Sequence, residues 1–93
     1  MSFDRPRIEV DFNDMIEENL LLLAANDYRV DSSGKRIEMR EGLRVYLYCD
    51  DTDDNGKPSY LLASGIVERH QATDWSAKGK WRCRIDEWSE ASR

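Results

Sequence analysis

An Asp-rich segment at residues 50–56 comes closest to a ligand-binding motif in this sequence. Asp51, Asp53 and Asn55 alternate and Gly56 follows them, which fits the opening D-x-[DN]-x-[DN]-G of a calcium loop. Calcium takes about six to eight oxygen ligands, and alternate side chains of a tight turn can converge on one ion. The pattern therefore predicts weak calcium binding at Asp51, Asp53 and Asn55, with a polar hairpin turn as the alternative. A complete EF-hand is not expected, because its twelfth position is Leu62 instead of a bidentate glutamate.

Basic side chains repeat at every second position near the C-terminus. In a strand they would share one face, and aromatic side chains beside such a face can stack on single-stranded nucleic acid. The alternative is a solvated face whose charges pair with acidic neighbours such as Glu68. The basic residues are Lys78, Lys80, Arg82 and Arg84, and the aromatic candidates are Tyr46, Tyr48 and Trp75.

Residues for catalysis are few. The chain has one histidine, His70, and no motif that would position a nucleophile or hold a phosphate. Glu68 lies two positions from His70, so a strand would place both side chains on one face. Cys49 and Cys83 fall on the apolar side of strand patterns and are expected to be reduced core thiols. Nothing in these features argues for an enzyme, although one of this size is conceivable, and no resident cofactor is expected apart from the calcium considered above.

Residues 42–86 have a strong hydrophobic periodicity and contain most of the elements that would position these side chains. In three runs every second residue is small or apolar, a two-residue period that predicts a half-buried strand in each. These apolar positions are Leu43, Val45, Leu47 and Cys49, then Leu61, Ala63, Gly65 and Val67, then Trp81, Cys83 and Ile85. Residues 28–41 read as a hairpin around Gly34, and residues 87–93 as a frayed tail.

Residues 8–27 predict a short strand followed by a helix. Asp14 and Glu17 have the spacing of a capping box, and the helix is expected over residues 14–25. Its apolar face would consist of Met15, Ile16, Leu20, Leu22 and Leu23. Leu21 would lie on the opposite face, where it is either a lone exposed leucine or a contact to a second subunit.

This order of elements predicts a single α+β domain over residues 1–93, with an N-terminal helix packed on a small, strongly bent antiparallel sheet or barrel. The run from Gly42 to Tyr48, followed by residues 63–67, resembles the first strands of Src-homology-3-like small barrels, including the Tudor and KOW kinds. The resemblance covers about half of the chain. The whole chain is also similar to small bacterial proteins, a similarity that implies no activity.

Composition favours a soluble binding protein. Apolar residues make up 40% of the 93 residues and the formal net charge is −5, which repels nucleic acid and anionic membranes at long range. No secretory leader is recognisable and the longest apolar run, residues 20–25, is too short to span a bilayer, so the cytoplasm is the expected compartment. The predicted function is therefore non-enzymatic binding of a protein or peptide. The alternatives are a nucleic-acid-binding barrel that uses the basic face, and a weak calcium-binding or small enzymatic domain at the Asp-rich turn.

Overall fold

Strands make up most of the computed structural model, which describes residues 4–52 and 55–92. The strands are β1 (Ile8–Glu9), β2 (Met15–Glu17), β3 (Leu20–Ala24), β4 (Tyr28–Val30), β5 (Arg36–Glu38), β6 (Arg44–Thr52), β7 (Pro58–Arg69) and β8 (Trp81–Ser92). Two short 3₁₀ helices, Phe12–Asp14 and Trp75–Lys78, interrupt them. Within the described ranges there is no α-helix.

Six of the strands form one sheet in the order β1-β6-β7-β8-β3-β2, and β4 pairs with β5 in a separate antiparallel hairpin. Strand β1 is parallel to β6, whereas the other neighbours in the large sheet are antiparallel. Both edge strands, β1 and β2, come from residues 8–17, which bend at the first 3₁₀ helix. The sheet therefore curls into a half-barrel, because one short segment supplies both of its edge strands, β1 beside β6 and β2 beside β3.

The predicted α+β class is wrong, because residues 15–24 form two strands and a tight turn instead of an α-helix. The turn is made possible by Asn19, whose φ of 60° lies in the left-handed region that asparagine tolerates better than most residues. The four leucines after it are all buried. A continuous apolar run fits a strand buried on both faces as well as a helix, and here long-range packing overrides the helix propensity of leucine.

The core lies on the concave, inner face of the half-barrel. Leu21 and Leu47 are fully buried there, together with Val67 and Cys83. The prediction of an exposed Leu21 is wrong, and this side chain offers no surface to a second subunit. On the other face of β3, Leu22 packs against Gly79, the residue that follows the second 3₁₀ helix. A β-carbon at Gly79 would collide with that leucine.

Strand β8 continues to Ser92, so the prediction of a frayed tail over residues 87–93 is wrong for the residues that the structure describes. Its second half pairs with the first half of β7, for example Trp88 with Ala63. The register shifts by one residue between Ser64 and Gly65 of β7. A β-carbon at Gly65 would collide with the carbonyl group of Arg84, so glycine permits the close approach of the two strands at this bulge.

No helix in the described part of the chain has the length and apolar character needed to cross a membrane.

Candidate binding site

A cleft opens where the N-terminal segment leaves strand β6. Strand β1 pairs with β6 only at Leu47 and Tyr48, and the last backbone hydrogen bond runs from the N–H of Val10 to the carbonyl oxygen of Tyr48, at 2.9 Å. The segment then turns toward β3, while β6 continues to Thr52. The two chain segments therefore diverge and leave a wedge-shaped space between them.

This acidic cleft has a volume of about 370 Å³. It is lined by Glu9, Val10, Asp11, Asp14, Leu22, Leu23, Arg29, Cys49 and Asp50. Four of these side chains are carboxylates and one is a guanidinium, so the cleft attracts cations.

Arg29 stabilises the cleft by hydrogen bonding to both β1 and β3. One terminal nitrogen of its guanidinium donates to the carbonyl oxygen of Leu23 at 2.6 Å, and the other donates to the carbonyl oxygen of Glu9. The side chain thereby ties β1 to β3 across a gap that no backbone ladder spans. Burial lowers the pKa of Arg29 from its usual value, although arginine keeps its charge at neutral pH.

Asp11 fixes the turn at the cleft's rim. Its carboxylate accepts a hydrogen bond from the backbone N–H of Asn13 at 2.9 Å, which caps the 3₁₀ helix Phe12–Asp14. This cap holds Asp14 and Phe12 at adjoining positions beside the cleft.

An apolar flank, formed by Phe12 and Leu61 beside three aspartates, adjoins the acidic cleft along β6. A second depression of about 160 Å³ is lined by Asp11, Phe12, Asn13, Cys49, Asp50, Asp51 and Leu61. The ring of Phe12 lies 5.1 Å from that of Trp88, and Trp88 is 41% exposed. Carboxylates and apolar rings thus meet on one surface, which suits a ligand that carries both a cation and an apolar group.

The predicted calcium site lies partly outside the described residues, because Asp53 is not among them. Asp51 lies in β6 and Asn55 in the following turn, where Gly56 adopts a φ of 78°. Among the residues that the structure describes, no group of three or more His, Cys, Asp or Glu side chains has a geometry that could hold a metal ion.

The basic residues do not form the four-residue strand face that their spacing predicts. Lys78 ends the second 3₁₀ helix and Lys80 precedes β8, so only Arg82 and Arg84 belong to the strand. Glu68 accepts hydrogen bonds from the Nε of Arg82 at 3.0 Å and from the Nε of Arg84 at 2.8 Å. Lys80 lies 3.6 Å from Asp27. These ion pairs match the alternative of a solvated face paired with Glu68.

Tyr46 and Tyr48 lie two positions apart in β6 and share one face of that strand, whereas Trp75 belongs to the second 3₁₀ helix. Tyr48 packs edge-on against Tyr60, with the ring centroids 5.8 Å apart. Trp75 begins the second 3₁₀ helix and is 54% exposed. The guanidinium carbon of Arg5 lies 4.1 Å from the ring centroid of Tyr46. The ring of Tyr46 is therefore already in contact with Arg5, and that of Tyr48 with Tyr60.

His70 is buried and does not pair with Glu68. Its Nε2 lies 2.9 Å from the hydroxyl of Ser76, which donates to the carboxylate of Asp74 at 2.6 Å. Ser76 is fully buried, so its hydroxyl is not accessible to a substrate. This chain of hydrogen bonds anchors the loop between β7 and β8 and does not form a nucleophilic site.

The sequence did not point to the acidic cleft. Its carboxylates are far apart in the chain, and Arg29 and Trp88 lie in a predicted hairpin and a predicted tail. The clearest local signal was Asp11 two residues before Asn13, a spacing typical of an Asx turn.

Comparisons with protein-family models, with curated proteins and with solved structures found no match. The resemblance to Src-homology-3-like barrels accordingly stays a prediction.

Proposed function

We propose that this protein is a non-enzymatic binding module that holds a basic segment of a protein partner in its acidic cleft. The observation that supports this most directly is the cleft's composition, with four carboxylates against a single guanidinium whose two terminal nitrogens donate to backbone carbonyls. A lysine or arginine side chain would complement this charge.

The apolar flank favours a peptide over a small cation. A lysine or arginine in the cleft would bring the next side chains of an extended segment within reach of Phe12 and Leu61, since residues in such a segment are about 3.3 Å apart. The exposed ring of Trp88 extends the same surface and offers a face for a second cation or an apolar group. The net charge of −5 favours the same class of partner, because it attracts basic segments and repels nucleic acid.

A peptide titration tests the proposal. The probes are an acetylated, amidated Lys-Leu-Arg-Leu-Lys peptide and the matched Glu-Leu-Glu-Leu-Glu peptide, followed by calorimetry at low and high salt. We expect only the basic peptide to bind, and to bind more weakly as salt rises. Asp14→Asn should weaken binding by about twofold to fivefold, in line with about 0.5–1 kcal/mol for an exposed ion pair.

Glu41→Gln provides a matched control, since Glu41 is exposed and lies outside the cleft. Equal binding of both peptides, or equal effects of Asp14→Asn and Glu41→Gln, would rule out the cleft as a cation-binding site. Salt-sensitive micromolar binding of single-stranded RNA that is lost in the double variant Lys80→Glu, Arg82→Glu would instead support the nucleic-acid alternative.

A further inference from the structure

The residues before β1 form a strap across the outer face of the sheet, the face opposite the core. Arg7 anchors it, with a side chain that is only 8% exposed. One terminal nitrogen of its guanidinium donates to the carbonyl oxygens of Leu47 at 3.1 Å and Ala63 at 3.3 Å. The other terminal nitrogen donates to Asp4 at 3.2 Å. A buried guanidinium therefore reaches over both β6 and β7.

The backbone of Arg7 is also held. Its N–H donates to the hydroxyl of Ser32 at 2.9 Å, and its carbonyl oxygen accepts from the N–H of Ser32 at 2.7 Å. Ser32 belongs to the turn between β4 and β5. This pairing fixes the end of the strap that lies next to β1.

The beginning of the strap is held by the contact between Asp4 and Arg7 and by an aromatic contact of Arg5. Arg5 stacks over Tyr46 with 4.1 Å between its guanidinium carbon and the ring centroid, and its side chain is 47% exposed. Its charged partner is Asp4, the residue next to it, at 3.4 Å. Tyr46 also has Arg7 near its ring, at 5.9 Å. Two guanidinium groups thus lie close to the ring of Tyr46.

We propose that Tyr46 and the carbonyl oxygens of Leu47 and Ala63 form an arginine-recognition surface that residues 4–7 occupy within the same chain. The strap is then an intramolecular competitor, and an arginine of a partner segment can replace Arg5 on the ring of Tyr46 while Arg7 keeps the two carbonyl oxygens. We infer arginine as the recognised side chain because two guanidinium groups already bind here. One stacks on the ring of Tyr46, and the other is hydrogen-bonded to two backbone carbonyl oxygens.

The two arginines of the strap differ in how easily an arginine of a partner can displace them. Arg5 is half exposed and its stacking is partly solvated, so its contribution is small. Arg7 is buried with its terminal nitrogens hydrogen-bonded, so it stays in place while Arg5 leaves. Access to Tyr46 is therefore controlled by Arg5. This surface is separate from the acidic cleft, since none of its residues line that cleft.

The test uses an acetylated, amidated Gly-Arg-Pro-Arg-Gly peptide and its Lys-for-Arg counterpart, titrated into full-length wild type and Arg5→Ala. We expect Arg5→Ala to bind the arginine peptide about twofold to fivefold more tightly than wild type, the factor that corresponds to an exposed cation–π contact. Arg5→Lys should give an intermediate affinity, and the lysine peptide should gain less from Arg5→Ala. Tyr46→Leu in the Arg5→Ala background should remove the gain, whereas Tyr60→Leu, a change at another half-buried tyrosine of the outer face, should not.

Repeating the titration with Asp14→Asn distinguishes peptide binding at Tyr46 from peptide binding at the acidic cleft. The gain from Arg5→Ala should persist there, and amide shifts should occur at Tyr46 and its cross-strand neighbour Ser64. An unchanged affinity in Arg5→Ala, or a gain that survives Tyr46→Leu, would overturn the proposal and leave the cleft proposal standing. Loss of all peptide binding in Asp14→Asn would overturn it as well, because the cleft alone would then account for binding.

Discussion

The indole N–H of Trp88 donates to the side-chain oxygen of Asn19 at 2.8 Å. This bond joins residues 69 positions apart, in the turn between β2 and β3 and in the second half of β8. Asn19 also contributes its backbone, since its carbonyl oxygen accepts from the N–H of Ile85 at 2.8 Å. One residue with a left-handed backbone therefore holds Trp88 beside Phe12, next to the acidic cleft.

Replacing Asn19 should separate its two roles. Asn19→Ala places alanine at a φ of 60° and removes the bond to Trp88, and we expect a loss of about 2–3 kcal/mol in unfolding free energy. Asn19→Gly relieves the backbone strain and should lose only about 1 kcal/mol. Urea unfolding followed by tryptophan fluorescence measures both values. An equal loss of unfolding free energy in the two variants would show that the left-handed backbone at position 19 does not destabilise the alanine variant.

Gly65→Ala should destabilise the sheet. The new β-carbon would collide with the carbonyl oxygen of Arg84, a backbone atom that moves only if the β7–β8 bulge rearranges. We expect a loss of about 1–3 kcal/mol, typical of overpacking. Gly34→Ala is the comparison, because Gly34 has a φ of 86° and open space around it, so that variant measures strain without collision. A Gly65→Ala variant as stable as wild type would contradict the close approach.

The two thiols should react at very different rates. Cys83 is fully buried, and burial raises its pKa to about 12, so little reactive thiolate forms at pH 8. Cys49 is half-buried instead of lying in the core as its strand position predicts, and its thiol donates to the carbonyl oxygen of Asp50 at 3.3 Å. Labelling with a disulfide reagent should show one fast equivalent, which Cys49→Ser removes. Two fast equivalents in the folded protein would show that β8 is misplaced.

Glu68 should make stability depend on pH. Hydrogen bonds from Arg84, and then from Arg82, lower its pKa in the folded state below the usual value. A carboxyl with a lowered folded pKa stabilises the protein above its unfolded pKa, and this contribution is lost as pH falls through the folded pKa. Glu68→Gln should therefore be less stable than wild type at pH 7, with the difference shrinking toward pH 3. Thermal unfolding across this range is the measurement, and a constant difference would contradict the ion pairs.

Calcium should bind at most weakly to the turn after β6. The position that would supply the twelfth ligand is Leu62, which is buried in β7. Following amide shifts of Asp51, Asp53 and Asn55 during a calcium titration, we expect no saturation below about 1 mM, the weak end of protein calcium sites. Saturation at micromolar calcium would show that the turn binds the ion more tightly than the incomplete motif predicts.

Periodicity determined the central strands from the sequence. The two-residue period that contains Leu47, Val67 and Ile85 predicted β6, β7 and β8, and the prediction that these side chains are buried is confirmed. A strand with one buried face leaves this pattern in any sequence, because successive side chains point to opposite sides.

Tertiary structure alone decided the rest. The leucines of β3 are buried on both faces, so they leave no two-residue period and read equally well as a helix. Trp88 and its neighbours read as a tail because their partners in β7 lie far away in the chain. The acidic cleft and the Arg5–Tyr46 contact exist only because residues 4–17 cross the sheet and bend away from β6. Local sequence records which side of an element is apolar, whereas the distance between two charged side chains depends on the path of the whole chain.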